Sequence, residues 1–208
     1  MARMKIGIIG AGNMGGAFAK RLAAAGHDVR ITARDFASAE KAAASTGGKA
    51  RVVKQNEIAR DADVVIVATR YGAAADALRD AGDLTGKTVI DISNPLTADM
   101  SALSVGFTTS AAEEIQKAVP KAKVVKAFNT IFAQVLGGSG RAQVFYAGDD
   151  AGAKNAVKAL IESAGFEAVD AGPLSNARHL EPLGMLNIYL GYVAGRGTGV
   201  APGWSTVA

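Results

Sequence analysis

Met4-Lys5-Ile6-Gly7-Ile8-Ile9-Gly10-Ala11-Gly12-Asn13-Met14-Gly15 runs from an apolar strand directly into glycines spaced G-x-G-x-x-G. An Ala-rich helix follows over residues 17–25, then Gly26-His27, then a second strand over Asp28–Thr32. Strand, glycine turn, helix and strand in this order form the context that a dinucleotide fingerprint requires. Each glycine has a mechanical task. Gly10 permits the tight turn, Gly12 leaves the approach of a pyrophosphate unblocked, and Gly15 lets helix and strand pack closely. Asn13 and Met14 lie on the same turn, where free N–H groups and the helix dipole attract phosphate.

In that fingerprint an Asp or Glu near the end of the second strand binds the ribose 2′-hydroxyl of NAD. Here the place falls at about Ala33, and Arg34 follows. A small neutral residue and a guanidinium make room for a 2′-phosphate and give it a two-pronged partner. The cofactor expected is therefore NADP(H). Thr32 and Ser38 add hydroxyl donors, and Lys41 reads as surface charge. Asp35 carries the competing reading, because a carboxylate reaching the ribose would favour NAD.

The 208 residues, 49% hydrophobic and 20% charged, fit a soluble globular chain of one continuous domain, or of one domain with a small appendage. The net charge of +4 is spread among acids. With no basic stripe interleaved with aromatics, no nucleic-acid partner is expected. No run has the length of a membrane span, and the opening apolar run passes into the glycine turn without a cleavage pattern. The absence of cysteine excludes disulfides, thiolate metal sites and thiol catalysis, and fits a cytoplasmic location.

Beyond Arg34, strands and helices alternate. A helix over 37–45 stops at Gly47-Gly48; a short strand (50–53) and a short helix (57–61) follow. Residues 63–68 form an apolar run, as in a strand buried on both faces. Then come a helix over 73–80, a strand over 88–92, a loop over 93–109, a helix over 111–119, a strand over 123–127 and a short helix near 131–136. Gly137-Gly138-Ser139-Gly140 reads as a flexible break. A strand (143–147), a helix (151–164), a strand (166–170), a long helix (175–193) and an irregular Gly-rich tail complete the chain. The expectation is an α/β fold with a doubly wound parallel sheet of the Rossmann type. Residues 1–136 would bind the nucleotide, and 137–208 would complete the sheet and the acceptor cleft.

In such sheets ligands bind beyond the carboxyl ends of the strands. Ala68-Thr69-Arg70-Tyr71, Ser93-Asn94-Pro95-Leu96 and Phe128-Asn129-Thr130-Ile131 follow three of those ends. Their mix of small polar and apolar residues suits a nicotinamide, whose carboxamide needs hydrogen bonds and whose ring needs an apolar wall. No acid–base constellation stands out. His27 reads as structural and His179 as a helix-surface residue. Lys126 with Asn129 imitates a hydroxyacid dehydrogenase pair, but spans a strand end where that pair belongs on a helix. No catalytic or metal residue is assigned. Reducing a ketone needs a proton donor; hydride transfer to a flavin-like ring does not, because the ring delocalises the charge.

The chain resembles the NADPH-dependent reductases of the deazaflavin coenzyme F420. The likeness rests on Gly10–Gly15, Ala33-Arg34, Val124 through Ile131, Asp170-Ala171-Gly172-Pro173-Leu174-Ser175-Asn176-Ala177-Arg178 and the helix over 180–190. Phe128-Asn129-Thr130-Ile131 also resembles the cytosolic domain of membrane metalloreductases. The likeness implies NADPH on the fingerprint, Thr32 and Arg34 at the 2′-phosphate, Thr69, Asn94 and Asn129 near the nicotinamide, and the deazaflavin beside the last helix. Archaeal members have a basic residue in place of Asp35 and a histidine in place of Asn129, which leaves FMN, FAD or riboflavin open as acceptor. The last helix is apolar nearly all round, so it should be buried, in the cleft, in the core or in a homodimer. Two other readings share the G-A-G-N-M-G opening or its ligand: a pyrroline-carboxylate or imine reductase, and a non-catalytic NADP sensor.

Overall fold

The computed structural model describes residues 3–207. Its strands are β1 (Lys5–Ile9), β2 (Asp28–Thr32), β3 (Ala50–Val52), β4 (Val64–Val67), β5 (Thr88–Asp91), β6 (Lys123–Ala127), β7 (Gln143–Gly148) and β8 (Glu167–Asp170). Its helices are α1 (Asn13–Ala24), α2 (Phe36–Ala44), α3 (Tyr71–Arg79), α4 (Ala111–Ala118), α5 (Ala133–Gly137), α6 (Ala151–Ser163) and α7 (Ala177–Ile188).

The strands form one sheet in the order β3-β2-β1-β4-β5-β6-β7-β8. The first six follow the dinucleotide-binding order, whose winding reverses between β1 and β4. They pair in parallel throughout. The expected doubly wound parallel sheet is present, with one exception: β7 runs antiparallel to β6 with Ala147 opposite Lys126, while β8 runs parallel to β7. The cause lies in the link. A parallel return needs a crossover that traverses the sheet. The five-residue α5 packs beside α1 instead, and β7 re-enters from the edge where β6 ends.

Strand periodicity divides the core in two. Val64 and Ile66 pack on one face with Phe18, Leu22 and Val157; Val65 and Val67 pack on the other with Leu78 and Ile115. α1 closes with the Gly26 N–H on the Ala23 carbonyl and the His27 N–H on the Leu22 carbonyl. In its last turn, Arg21 donates from Nε to the Ala164 carbonyl at 2.5 Å and from Nη1 to the Leu136 carbonyl at 3.2 Å. It also donates to the Gly138 carbonyl. The guanidinium lies 4.2 Å from the centre of the Phe166 ring. His27 is structural: its buried ring accepts the Met4 N–H at Nδ1 (3.1 Å) and meets Ser163 Oγ at Nε2 (2.8 Å).

The last helix departs from its expected burial. A 3-10 turn (Leu174–Asn176) leads into α7, and a π-helical turn (Tyr189–Val193) ends it. The buried face comprises Ala177, Leu180, Glu181, Gly184 and Asn187, whereas Leu186, Tyr189, Tyr192 and Val193 stand exposed. Ala177 and Leu180 pack in apolar clusters, while Glu181, Gly184 and Asn187 face inward onto polar groups: Lys126, the Asn94–Asn129 pair and the Thr130 carbonyl. The tail is irregular through residue 207; Ala208 lies outside the described residues.

Candidate active site

At the carboxyl edge of the sheet the Gly10 N–H donates to the Thr32 carbonyl and the Ala68 N–H to the Ile9 carbonyl, each at 2.8 Å. The ends of β2, β1 and β4 are thereby locked side by side. Gly10 has φ +108°, and a Cβ there would stand 2.6 Å from the Ala68 carbonyl oxygen. A Cβ on Gly15 would stand 1.9 Å from the Gly10 carbonyl oxygen. Gly12 differs: a Cβ there would meet nothing within 4 Å. The fold does not require that glycine, but a pyrophosphate lying on the turn would. α1 begins without a side-chain cap or an acidic residue in its first turn, so its N–H groups remain available to an anion. Asn13 is exposed and Met14 half-buried. These residues fit NADP(H).

Thr32 is buried at the end of β2 and Arg34 is exposed just beyond it. Asp35 caps α2, accepting the Ser38 N–H at 3.2 Å and the Ser38 hydroxyl. That hydroxyl bond is the main reason its carboxyl lies below the usual range. Asp35 and Ser38 thus engage each other, and Arg34 and Asp35 both face solvent at this end.

The loops after β5 and β6 meet beneath α7. Asn94 Nδ2 donates to the Asn129 carbonyl and Asn129 Nδ2 to Asn94 Oδ1, both at 2.9 Å. Asn129 Nδ2 also reaches the Leu180 carbonyl at 2.8 Å, and Asn187 Nδ2 reaches the Thr130 carbonyl at 3.1 Å. Gly184 packs so closely on this pair that a Cβ would stand 2.6 Å from Asn94 Oδ1. Phe128 takes the left-handed φ of +61°, which is strained for a residue with a side chain. Its ring is held edge-on against Phe18 at 4.9 Å and Phe166 at 6.4 Å. That anchorage in the core turns the next residue, Asn129, toward α7. Pro95 is buried, Thr69 half-buried and Arg70 exposed at the start of α3. Ser93 Oγ, Asn129 Oδ1 and Thr130 Oγ1 are buried with no hydrogen-bond partner among the described residues.

Sequence reasoning missed a buried ionic cluster beside these loops. Lys126 Nζ donates to Asp91 Oδ2 (2.6 Å), the Ser93 carbonyl (2.7 Å) and Glu181 Oε1 (2.8 Å). Burial pulls the ammonium down, but Asp91 and then Glu181 outweigh it and hold it above its usual range. Lys126 and Asn129 therefore face different partners. The signal was present: Asp91 and Lys126 follow the apolar runs of β5 and β6, Glu181 lies among the apolar residues of α7, and buried charges are paired. Tyr71, half-buried at the start of α3, is held protonated by burial first and then by the charges of Glu114, Glu181 and Asp91. His179 is exposed.

Residues 5–95 match the model of the family described as NADP oxidoreductase, coenzyme F420-dependent. The crystal structure of a candidate F420-dependent NADP reductase from Arthrobacter sp. FB24 is 32% identical, covers 94% of this chain and 96% of its own, and superposes with a TM-score of 0.85. The F420-dependent NADP reductase of Methanothermobacter marburgensis is 29% identical over 90% of this chain and 92% of its own length. The rat metalloreductase STEAP3 is 32% identical over 86% of this chain, which spans 36% of that protein's length. Among the described residues no helix is long and apolar enough to cross a membrane. The chain belongs to the coenzyme F420-dependent NADP oxidoreductase family.

Proposed function

We propose that the chain moves hydride between NADP(H) and a flavin or deazaflavin, with coenzyme F420 the first acceptor to test. Gly10, Gly12, Asn13, Met14 and Gly15 hold the pyrophosphate in this reading, and Thr32 and Arg34 the 2′-phosphate. Ala68, Thr69, Arg70, Asn94, Pro95, Asn129 and Thr130 line the nicotinamide half. The observation that carries it is the trio of unpartnered buried atoms, Ser93 Oγ, Asn129 Oδ1 and Thr130 Oγ1. Buried polar atoms are nearly always paired. Three orphans at neighbouring strand ends call for a ligand with donors and an acceptor of its own, as a carboxamide has. When bound, NADPH supplies the hydride. The protein's part is to bind, orient and exclude water, with α7 packed over the loops. The ammonium of Lys126 has its hydrogens engaged, which suits an acceptor that takes no proton in the transfer step.

Tyr71 favours a second reading. A protonated phenol at these loops is a proton donor of the kind that imine reduction needs. To decide, purified protein is mixed with NADPH and, separately, coenzyme F420, FMN, FAD or riboflavin, and both chromophores are followed. Paired loss of NADPH and one acceptor is expected. Tight NADPH binding with no turnover on any of them would overturn the reading in favour of imine reduction or a binding-only sensor. The reading includes a cytoplasmic location and a homodimer. The exposed Leu186, Tyr189, Tyr192 and Val193 support the dimer, and sedimentation tests it.

A further inference from the structure

The side chains of Asp91 and Lys126 are fully buried, and that of Glu181 is 1% exposed. Packed apolar residues of similar size would hold a core together as well or better, because desolvating charges is costly. The geometry of the cluster is more specific than core packing requires. Asp91 Oδ1 accepts the Ser93 N–H at 2.9 Å while Lys126 takes the Ser93 carbonyl, so both backbone groups of one residue are gripped. Ser93 directly precedes Asn94. From the opposite side, Glu181 on α7 binds Lys126 and also accepts the N–H groups of Ala111 (3.0 Å) and Ala112 (3.3 Å) at the start of α4. The cluster carries one excess negative charge, and it faces the positive end of the α4 dipole. One turn further along α7, Gly184 rests on Asn94 and Asn129.

We propose that Asp91, Lys126 and Glu181 are positioning residues that set the Ser93-Asn94 segment and the seat of α7, and so hold the nicotinamide half of the cofactor in register for hydride transfer. The inference rests on the assignment of the nicotinamide to the loops after β5 and β6. None of the three need touch the cofactor. They act through Ser93 and α7.

The first test uses the intact wild-type protein. The isotope-edited signal of the Lys126 ammonium, shielded from exchange by its three acceptors, is followed during titration with NADP+ and with 2′-phospho-ADP-ribose, which lacks the nicotinamide. The signal is expected to move with NADP+ and to stay unmoved with the truncated ligand. NADP+ binding without a shift, or equal shifts with both ligands, would overturn the proposal. The second test is Glu181→Gln. The amide keeps one oxygen for Lys126 and Ala112, but its NH2 must then face the Ala111 N–H, donor against donor. Hydride transfer is expected to fall about 100-fold, the scale of a small misplacement, with the Kd for NADPH changed less than about threefold. An unchanged rate in a folded variant would overturn it; if the variant does not fold, the ammonium signal decides. A wild-type protein inert toward every flavin, yet showing the NADP+ shift, would sink the acceptor reading and leave this inference standing.

Discussion

Asn94 and Asn129 hold each other through two hydrogen bonds of 2.9 Å, one from each amide, across the ends of β5 and β6. The Asn129 amide nitrogen also donates to the Leu180 carbonyl, so both of its hydrogens are directed at oxygen atoms. Asn129→Asp would replace two donors with a carboxylate facing two acceptors. A loss of about 3 kcal/mol in unfolding free energy is expected, read by urea denaturation. An unchanged midpoint would mean that the pair does not hold α7 in place.

Gly12 and Gly15 separate ligand demand from fold demand. Gly12→Ala finds open space in the free protein and should leave the Tm unchanged while weakening NADPH by tenfold or more, about 1.4 kcal/mol. Gly15→Ala meets a backbone carbonyl and should fail to fold stably. Thermal melts with and without NADPH distinguish the two. A Gly12→Ala protein that binds normally would remove the pyrophosphate from this turn.

Arg34→Ala should weaken NADPH by about ten- to a hundredfold, the value of a charge-assisted hydrogen bond, and leave NADH within about twofold. Equal losses for the two cofactors would contradict the 2′-phosphate role. Asp35→Ala is expected to act on stability instead, at about 1 kcal/mol, because the residue caps α2.

Tyr71→Phe distinguishes the two readings of the chemistry. With a flavin or deazaflavin acceptor, turnover should stay within about threefold of wild type. A loss of about 100-fold or more is the signature of a missing proton donor and would transfer the assignment to imine reduction.

His27 sets a pH dependence of stability. Burial holds its imidazole below the ordinary value, and Nδ1, as acceptor of the Met4 N–H, has no room for a second proton. Above about pH 6.5 both folded and unfolded states are neutral and stability is complete. As the pH falls below that value the unfolded chain takes up the proton first, and stability declines until the lowered folded-state value is passed. His27→Ala should be less stable at neutral pH but should lack this slope between pH 7 and 5. A slope equal to that of wild type would assign the titration to another group.

The glycine fingerprint and the strand pattern were legible because they depend on local rules. β2 and β6 occur at the residues expected, Asp28–Thr32 and Lys123–Ala127, since apolar runs between turns carry their own boundaries. The direction of β7 was not legible. It depends on how far a short helix carries the chain, and no periodicity records that. Glu181 was hidden for a related reason. A glutamate three residues after Arg178 reads as part of the helix's solvent face until Lys126 and the start of α4 are known to lie opposite. The orphaned atoms of Ser93 and Thr130 are likewise invisible before the fold shows which hydroxyls lack partners.

The grip of Arg21 has a practical bearing on how such a protein can be divided. One guanidinium from the first helix reaches residues 136, 138 and 164, and the edge-on contacts of Phe128 with Phe18 and Phe166 join the first helix to the same C-terminal part. A nucleotide-binding half cut from this chain and grafted to another acceptor unit would carry a stranded cation and a bare aromatic face. Exchanging acceptor specificity within this scaffold is better pursued by rewriting the surface of α7 than by swapping halves.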